Sequence, residues 1–172
     1  MSYKNIPLGQ GAPQVINVIV EISKGSRNKY EYDESLDVIR LDRVLHSPVF
    51  YPTDYGFIPH TRSDDGDHLD VMIIGTEPLF PGCLVAVRPI GVLDMEDDKG
   101  VDYKILAVEE KDPFFKNVHT LEDLDDHYIK EISHFFEVYK NLEDKFVKVH
   151  GWKNHEEAFK IINEAKKKFE LE

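Results

Sequence analysis

Hydrophobic positions along this chain recur with two different periods. From Val15 to Ile22 a β-branched run follows Pro13. Tyr30 and Tyr32, then Val38, Ile39 and Leu41, flank a polar turn over 33–37, which predicts a hairpin. Val71–Ile74 is a short apolar run between an Asp/Gly loop and Gly75. Cys83–Leu93 is a longer strand pattern, with a bend or bulge expected near Pro89 and Gly91. After an acidic turn over 94–100, residues 101–108 alternate again. The period then changes. Ile129, Ile132, Phe135, Phe136, Tyr139 and Leu142 recur at three- and four-residue steps, one apolar face of a helix. Asn154 with Glu157 resembles a capping box, and Ala158, Ile161, Ile162, Ala165 and Phe169 form the stripe of a second helix. Lysines 166–168 sit near its end, where the helix dipole favours cations. Short strands first and helices last predict an α+β, mainly β domain around a small barrel, with no repeat and no linker over 1–172.

Composition narrows this further. A chain of 172 residues buries about 70% of its unfolded surface, enough for a core without staples. No apolar run approaches the ~20 residues of a membrane span. Met1 to Gln10 shows no charged-then-apolar leader, and Cys83 is the single cysteine, so no internal disulfide framework is expected and the cytoplasm is the expected location. The net charge of −12 repels polyphosphate backbones unless positive charge is local or metal ions are recruited, which disfavours nucleic acid as a partner.

The chemistry concentrates in a few places. Asp64, Asp65, Asp67 and Asp70 crowd one seven-residue loop around Gly66. Carboxylates ~4 Å apart repel by about 1 kcal/mol per pair even in water, so such a cluster seeks a cation, and all-oxygen donors suit Mg²⁺, Mn²⁺ or Ca²⁺. An EF-hand is excluded, because the twelfth position from Asp65 is Thr76 and not Glu. Asp94, Glu96, Asp97, Asp98 and Asp102 form a second cluster, and two acidic turns at strand ends suit a site for several metals better than one does. Lys29 and Glu31 share one face of a strand around Tyr30, and Asp102 and Lys104 repeat this around Tyr103. Either these are salt bridges on a wet surface, or they line a polar cavity for metals and anionic oxygens. Arg43 would add a bidentate fork there. The aromatic stretch 50–57 contains Tyr51 and Tyr55, whose hydroxyls need partners when buried. Serine or cysteine nucleophiles, H-E-x-x-H zinc sites and Walker loops have no support.

Taken together, these segments resemble the family I soluble inorganic pyrophosphatases of the short bacterial and archaeal type. The match includes Val20-Glu21-Ile22, Lys29-Tyr30-Glu31, Asp42-Arg43, Phe50-Tyr51-Pro52 with Asp54-Tyr55-Gly56, Asp65-Gly66-Asp67 with Asp70-Val71, Arg88 to Leu93, Asp97, Asp102 with Lys104, and His134 to Glu137 leading to Tyr139-Lys140. The resemblance implies an OB-like five-stranded barrel with two C-terminal helices packed outside. It implies hydrolysis of diphosphate to two phosphates by a multi-metal Mg²⁺ site, several ions per subunit, with Mn²⁺ or Zn²⁺ as substitutes. By the same resemblance Asp65, Asp70 and Asp102 bind the activating metals. Asp97 and Glu31 bind those arriving with substrate, and Asp67 is the general base for a metal-bound water. Lys29, Arg43, Tyr55, Lys104, Tyr139 and Lys140 clamp phosphate, with Glu21 and Tyr51 in support. A homohexamer is implied as well.

Two residues depart from the family pattern: His68 stands where Pro is usual, and Asp98 where Glu is common. The expectation for His68 is a ring turned to solvent. The alternatives to this reading are a metal-dependent nucleotide hydrolase or nuclease, and an OB-fold binding module, which would need a basic groove with exposed aromatics.

Overall fold

The computed structural model describes residues 2–171. Its strands are β1 (Ile16–Ile22), β2 (Asn28–Asp33), β3 (Val38–Val44), β4 (Asp54–Ile58), β5 (Leu69–Ile74), β6 (Leu84–Asp97), β7 (Gly100–Val101), β8 (Lys104–Glu109) and β9 (Val147–Asn154). Its helices are α1 (Asp126–Val138) and α2 (His155–Glu170). Strands β1, β4, β5, β8 and β6 pair in that order, and β6 pairs back with β1, so five strands close a ring. Only β5 and β8 run parallel within it. The β2–β3 hairpin forms a separate two-stranded sheet, and β7 and β9 extend the outer length of β6. The expected bend in β6 is a register shift between Pro89 and Gly91.

Alternation on the ring strands feeds two cores. Met72, Ile74, Leu106 and Val108 enter one, and their neighbours Val71, Ile73, Ile105 and Ala107 enter the other. Helix α1 covers the first with Ile132, Phe135 and Phe136; α2 covers the second with Ala158, Ile161, Ile162 and Ala165. Each large apolar side chain so buried contributes roughly 1.5–3 kcal/mol. Gly56 is required where β4 crosses β1, because a Cβ there would lie 2.1 Å from the Ile19 carbonyl oxygen.

Helix α2 starts at the Asn154 cap expected for it, and α1 starts at Asp125, a cap the apolar pattern does not single out. Asp125 accepts from the His127 amide at 2.8 Å, and Asn154 accepts from the Glu157 amide at 3.1 Å. Helix α1 is shorter than its apolar pattern suggests. It ends at Val138, whose carbonyl accepts from Ser47 Oγ at 3.2 Å, and Leu142 falls in a separate 3₁₀ turn, exposed. Two strands escape the periodicity. β4 is buried on both faces and shows no alternation, and β9 is interrupted by a bulge opposite Asp94 and Met95. Cys83 lies just ahead of β6 as a free thiol.

Candidate active site

Every residue to which the family resemblance assigns a role lines one cavity of about 440 Å³ at the mouth of the barrel, whereas Asp64, Asp94, Glu96 and Asp98 do not. One wall is acidic. Asp65 and Asp67 come from the loop before β5, where Gly66 adopts a left-handed φ of 89°. Asp70 opens β5, Asp97 closes β6, and Asp102 precedes β8. The rest of the lining comes from the hairpin and the end of α1: Lys29, Glu31 and Arg43 from β2 and β3, then Tyr139 and Lys140, the last paired with Asp97 at 3.1 Å. Glu21 ties the hairpin to the barrel, since its Oε1 accepts from the Tyr32 amide at 2.7 Å.

Lysines bind the carboxylates together. Lys104 is 3% exposed, and its ammonium donates to Asp70 at 2.8 Å, Asp102 at 3.0 Å and the Tyr55 hydroxyl at 3.0 Å. Asp70 and Lys104 are register partners on adjacent parallel strands, which sets this contact. Burial disfavours the charge on Lys104, yet Asp102 and Asp70 hold its pKa well above the usual lysine range. Asp102 is pushed up by burial and by Asp70 despite Lys104. Asp97 is held low: burial opposes this, but the Lys99 amide and Lys140, 3.1 Å away, prevail. Burial pushes the hydroxyls of Tyr51 and Tyr55 well above the usual range, so both remain neutral donors. The Asp67 side chain is 74% exposed; the surrounding protein, then Asp65, Asp70 and Glu31, push its carboxyl up while Lys99 at 3.7 Å opposes them.

Several residues in the cavity wall, and Glu143 behind it, escaped the sequence reading. Asp42 pairs with both Lys29 and Arg43, a role its place beside Arg43 foreshadows. Glu143, 4% exposed, meets Arg43 Nε at 2.7 Å, while Arg43 Nη2 and Glu143 Oε2 are buried without a partner. Lys99 reaches Asp65 and Asp67 from inside an acidic turn that masks it in the sequence. The second acidic cluster divides: Asp97 and Asp102 line the cavity, but Asp94 pairs with Lys153, Glu96 with His150, and Asp98 accepts from the Phe146 amide. The period-2 pleat turns these neighbours outward.

His68 corrects the solvent-facing expectation. Its side chain is only 12% exposed and stacks on Phe57 with ring centroids 5.0 Å apart. Its Nδ1 donates to the Thr61 carbonyl at 2.9 Å, and burial lowers its pKa. The loop before β5 is short enough that the ring folds back over β4.

Burial and the nearby Asp70 raise the carboxyl of Glu21 from 4.5 to about 8, so it holds a proton at neutral pH that the unfolded chain has lost. A proton bound only in the folded state makes stability fall as pH rises, here between about 4.5 and 8. Glu21→Gln cannot titrate. In EDTA, urea unfolding should show the variant gaining on wild type by about 1 kcal/mol per pH unit between pH 5 and 8. A constant difference across that range would refute the assignment.

The donors of the acidic wall are all oxygen, the chemistry hard divalent cations prefer. Among the described residues no three Asp, Glu, His or Cys groups close on one ion-sized point. Lys104 instead sits where Asp70 and Asp102 converge, which shows that this spot is built to hold positive charge. An OB-like barrel with such a mouth fits the class of metal-assisted hydrolases of phosphorylated substrates. The family model for inorganic pyrophosphatase matches residues 18–170. An inorganic pyrophosphatase of Methanosarcina mazei is 54% identical over 156 residues, 91% of this chain and 92% of that one. One from Nostoc is 48% identical over 169 residues, 98% and 99% of the two chains. The crystal structure of the Thermus thermophilus inorganic pyrophosphatase superposes with a TM-score of 0.95 at 42% identity, covering 99% of each chain.

The chain belongs to the inorganic pyrophosphatase family, the soluble family I type. It is a metal-dependent inorganic diphosphatase that hydrolyses diphosphate to two orthophosphates. Among the described residues no helix is long and apolar enough to cross a membrane.

Proposed function

We propose that the cavity works with two sets of groups, one for cations and one for phosphate oxygens. The observation that carries this is the convergence of Asp65, Asp67, Asp70, Asp97 and Asp102 with Lys29, Arg43 and Lys140 in one cavity. Asp65, Asp70 and Asp102 hold the activating Mg²⁺ ions, with Mn²⁺ or Zn²⁺ able to substitute, and Asp97 and Glu31 hold those that enter with diphosphate. When bound, these ions neutralise substrate charge and make water a better nucleophile at neutral pH.

The rest falls to the chain. Asp67 accepts the proton of the attacking water at its carboxylate. Water adds to one phosphorus in line with the bridging oxygen, the bridging P–O bond breaks, and the leaving phosphate takes the electron pair. Lys29, Arg43 and Lys140 neutralise the charge that builds on that phosphate, and Tyr55 and Tyr139 donate to its oxygens. Arg43, which lines the cavity and pairs with Asp42 and Glu143, adds its guanidinium charge to that clamp. Tyr51 packs against Tyr55, ring centroids 5.6 Å apart, and Glu21 anchors the hairpin in support of Asp70.

Direct binding of Mn²⁺ by calorimetry, without substrate, tests the cation-binding set. Asp102→Asn should raise the Kd at least tenfold, and Glu21→Gln by less, because the latter leaves the oxygen donors in place. Equal effects, or none, would reject this division of roles.

The proposal extends to a cytoplasmic homohexamer. His134 is exposed and Val138 half-buried one turn away on the flank of α1, off the face that packs on the barrel. Light scattering at micromolar concentration and neutral pH should give a mass near six chains of 19.9 kDa; a stable monomer would overturn it.

A further inference from the structure

The loop carrying Asp65 and Asp67 leaves the barrel after Ile58 and returns at Leu69. Both of its stems rest on one side chain, Phe169 in the last turn of α2. On the outgoing stem the His60 ring stacks on Phe169 with centroids 5.0 Å apart and planes 9° apart. The Arg62 guanidinium lies 5.3 Å from the same ring centroid, and the Arg62 amide donates to the Ala165 carbonyl at 2.9 Å. On the returning stem the His68 ring lies 6.1 Å from Phe169.

Between the stems the loop is held by its own backbone and by outside cations: Lys168 of α2 pairs with Asp64, and Lys99 lies 3.9 Å from Asp65 and 3.7 Å from Asp67. The Ser63 amide donates to the Asp67 carbonyl at 2.8 Å, and the Asp67 amide to Asp65 Oδ1 at 3.0 Å. Behind it, towards α2, lies a second cavity of about 80 Å³ lined by Asp65, Tyr103, Ile161 and Ala165. No packed core therefore backs the acidic loop, while repulsion among its aspartates pushes it open. The exposed pairs with Lys168 and Lys99 offset part of that repulsion, and ring stacking with the cation–π contact fixes the stems.

We infer that Phe169 is a positioning residue for the reaction: its ring joins the two stems so that Asp65, the cation ligand, and Asp67, the base, stand together at the cavity mouth. This rests on the reading of Asp65 and Asp67 given above. It assigns a part in catalysis to the end of a helix that contributes no side chain to the larger cavity.

The test uses the full chain without substrate. In Phe169→Ala, the amides of Ser63 and Leu69 should exchange with deuterium at least tenfold faster, with the first half of α2 unchanged. The Kd for Mn²⁺, read by calorimetry, should rise three- to tenfold. Phe169→Tyr keeps the ring and should restore both. Ile162→Val weakens the packing of α2 on the barrel, outside the lining of the cavity behind the loop, and should change neither, which separates positioning from general loss of stability. Phe169→Leu takes the place of the alanine variant if the latter does not fold. Wild-type amide exchange in the variant overturns the inference. Faster exchange with wild-type Mn²⁺ affinity overturns it too when Asp65→Asn weakens binding. If Asp65→Asn also leaves affinity unchanged, the ligand role of Asp65 fails, and the faster exchange still supports Phe169 as the brace of the loop.

Discussion

Asp67→Asn should lose a factor of ~10²–10⁴ in turnover with diphosphate while keeping the wild-type fold, the range expected when a positioned general base is removed. The geometry separates the two effects. The Asp67 side chain is 74% exposed, and its own amide, which donates to Asp65 Oδ1 at 3.0 Å, holds the loop turn. The carboxylate therefore contributes little to stability, and surface substitutions of this kind change it by about 0.5 kcal/mol or less. Asparagine preserves shape and a carbonyl oxygen but cannot take a proton. The surrounding protein, then Asp65, Asp70 and Glu31, raise the carboxyl of Asp67 against Lys99, which makes it a better proton acceptor than an isolated aspartate. Steady-state phosphate release at saturating Mg²⁺ is the measurement, with urea unfolding as the control. Turnover within fivefold of wild type would remove Asp67 from the role of base.

Lys104→Met should be the most destabilising change in the site when divalent cations are absent. The lysine spends all three N–H donors on Asp70, Asp102 and Tyr55, and its ammonium lies 5.5 Å and 5.6 Å from the ring centroids of Tyr55 and Phe136. Methionine matches the stem and deletes the charge. Two half-buried carboxylates then face each other without a cation, and breaking a buried ion pair from one side costs about 3–5 kcal/mol. Metal should reverse part of this loss. With the ammonium gone, a divalent ion is the remaining positive charge able to sit between Asp70 and Asp102. Urea unfolding in EDTA and in Mg²⁺ measures both effects. Mg²⁺ should stabilise the variant more than wild type, while turnover stays ~10²–10³ lower for want of a charged donor. Equal stability of variant and wild type in EDTA would show that the triad does not hold the site together.

Much of this site was legible in one dimension because its chemistry is carried by residue types in a fixed order. Acid–lysine alternation at Lys29-Glu31 and Asp102-Lys104 marked polar faces on strands, and both pairs do line the cavity. The apolar stripes of α1 and α2 pointed to the right cores, since the 3.6-residue period survives any tertiary arrangement. The failures have local causes. β4 reads as an aromatic stretch because both of its faces are buried, which erases alternation. β9 hides behind Gly151 and a bulge. His68 was misplaced because nothing in its neighbours announces that Phe57, from the adjacent strand, supplies a ring to stack on. Glu143 was missed because its partner Arg43 lies a hundred residues away in sequence.

The sequence by itself determined the strands and helices that show a clear period, the excess of carboxylates that demands cations, and the order of motifs that marks the family. These are local or additive properties of the chain. Only the tertiary structure decided that β1 closes on β6 to make a ring, and that Asp70 stands beside Lys104 in register. It alone decided which acids of the second cluster face inward, and that Phe169 reaches both stems of the acidic loop. Each of these depends on pairing between distant segments. A shift of one residue in strand register turns every side chain to the other face, so the choice is made by packing of the whole barrel and by no local signal.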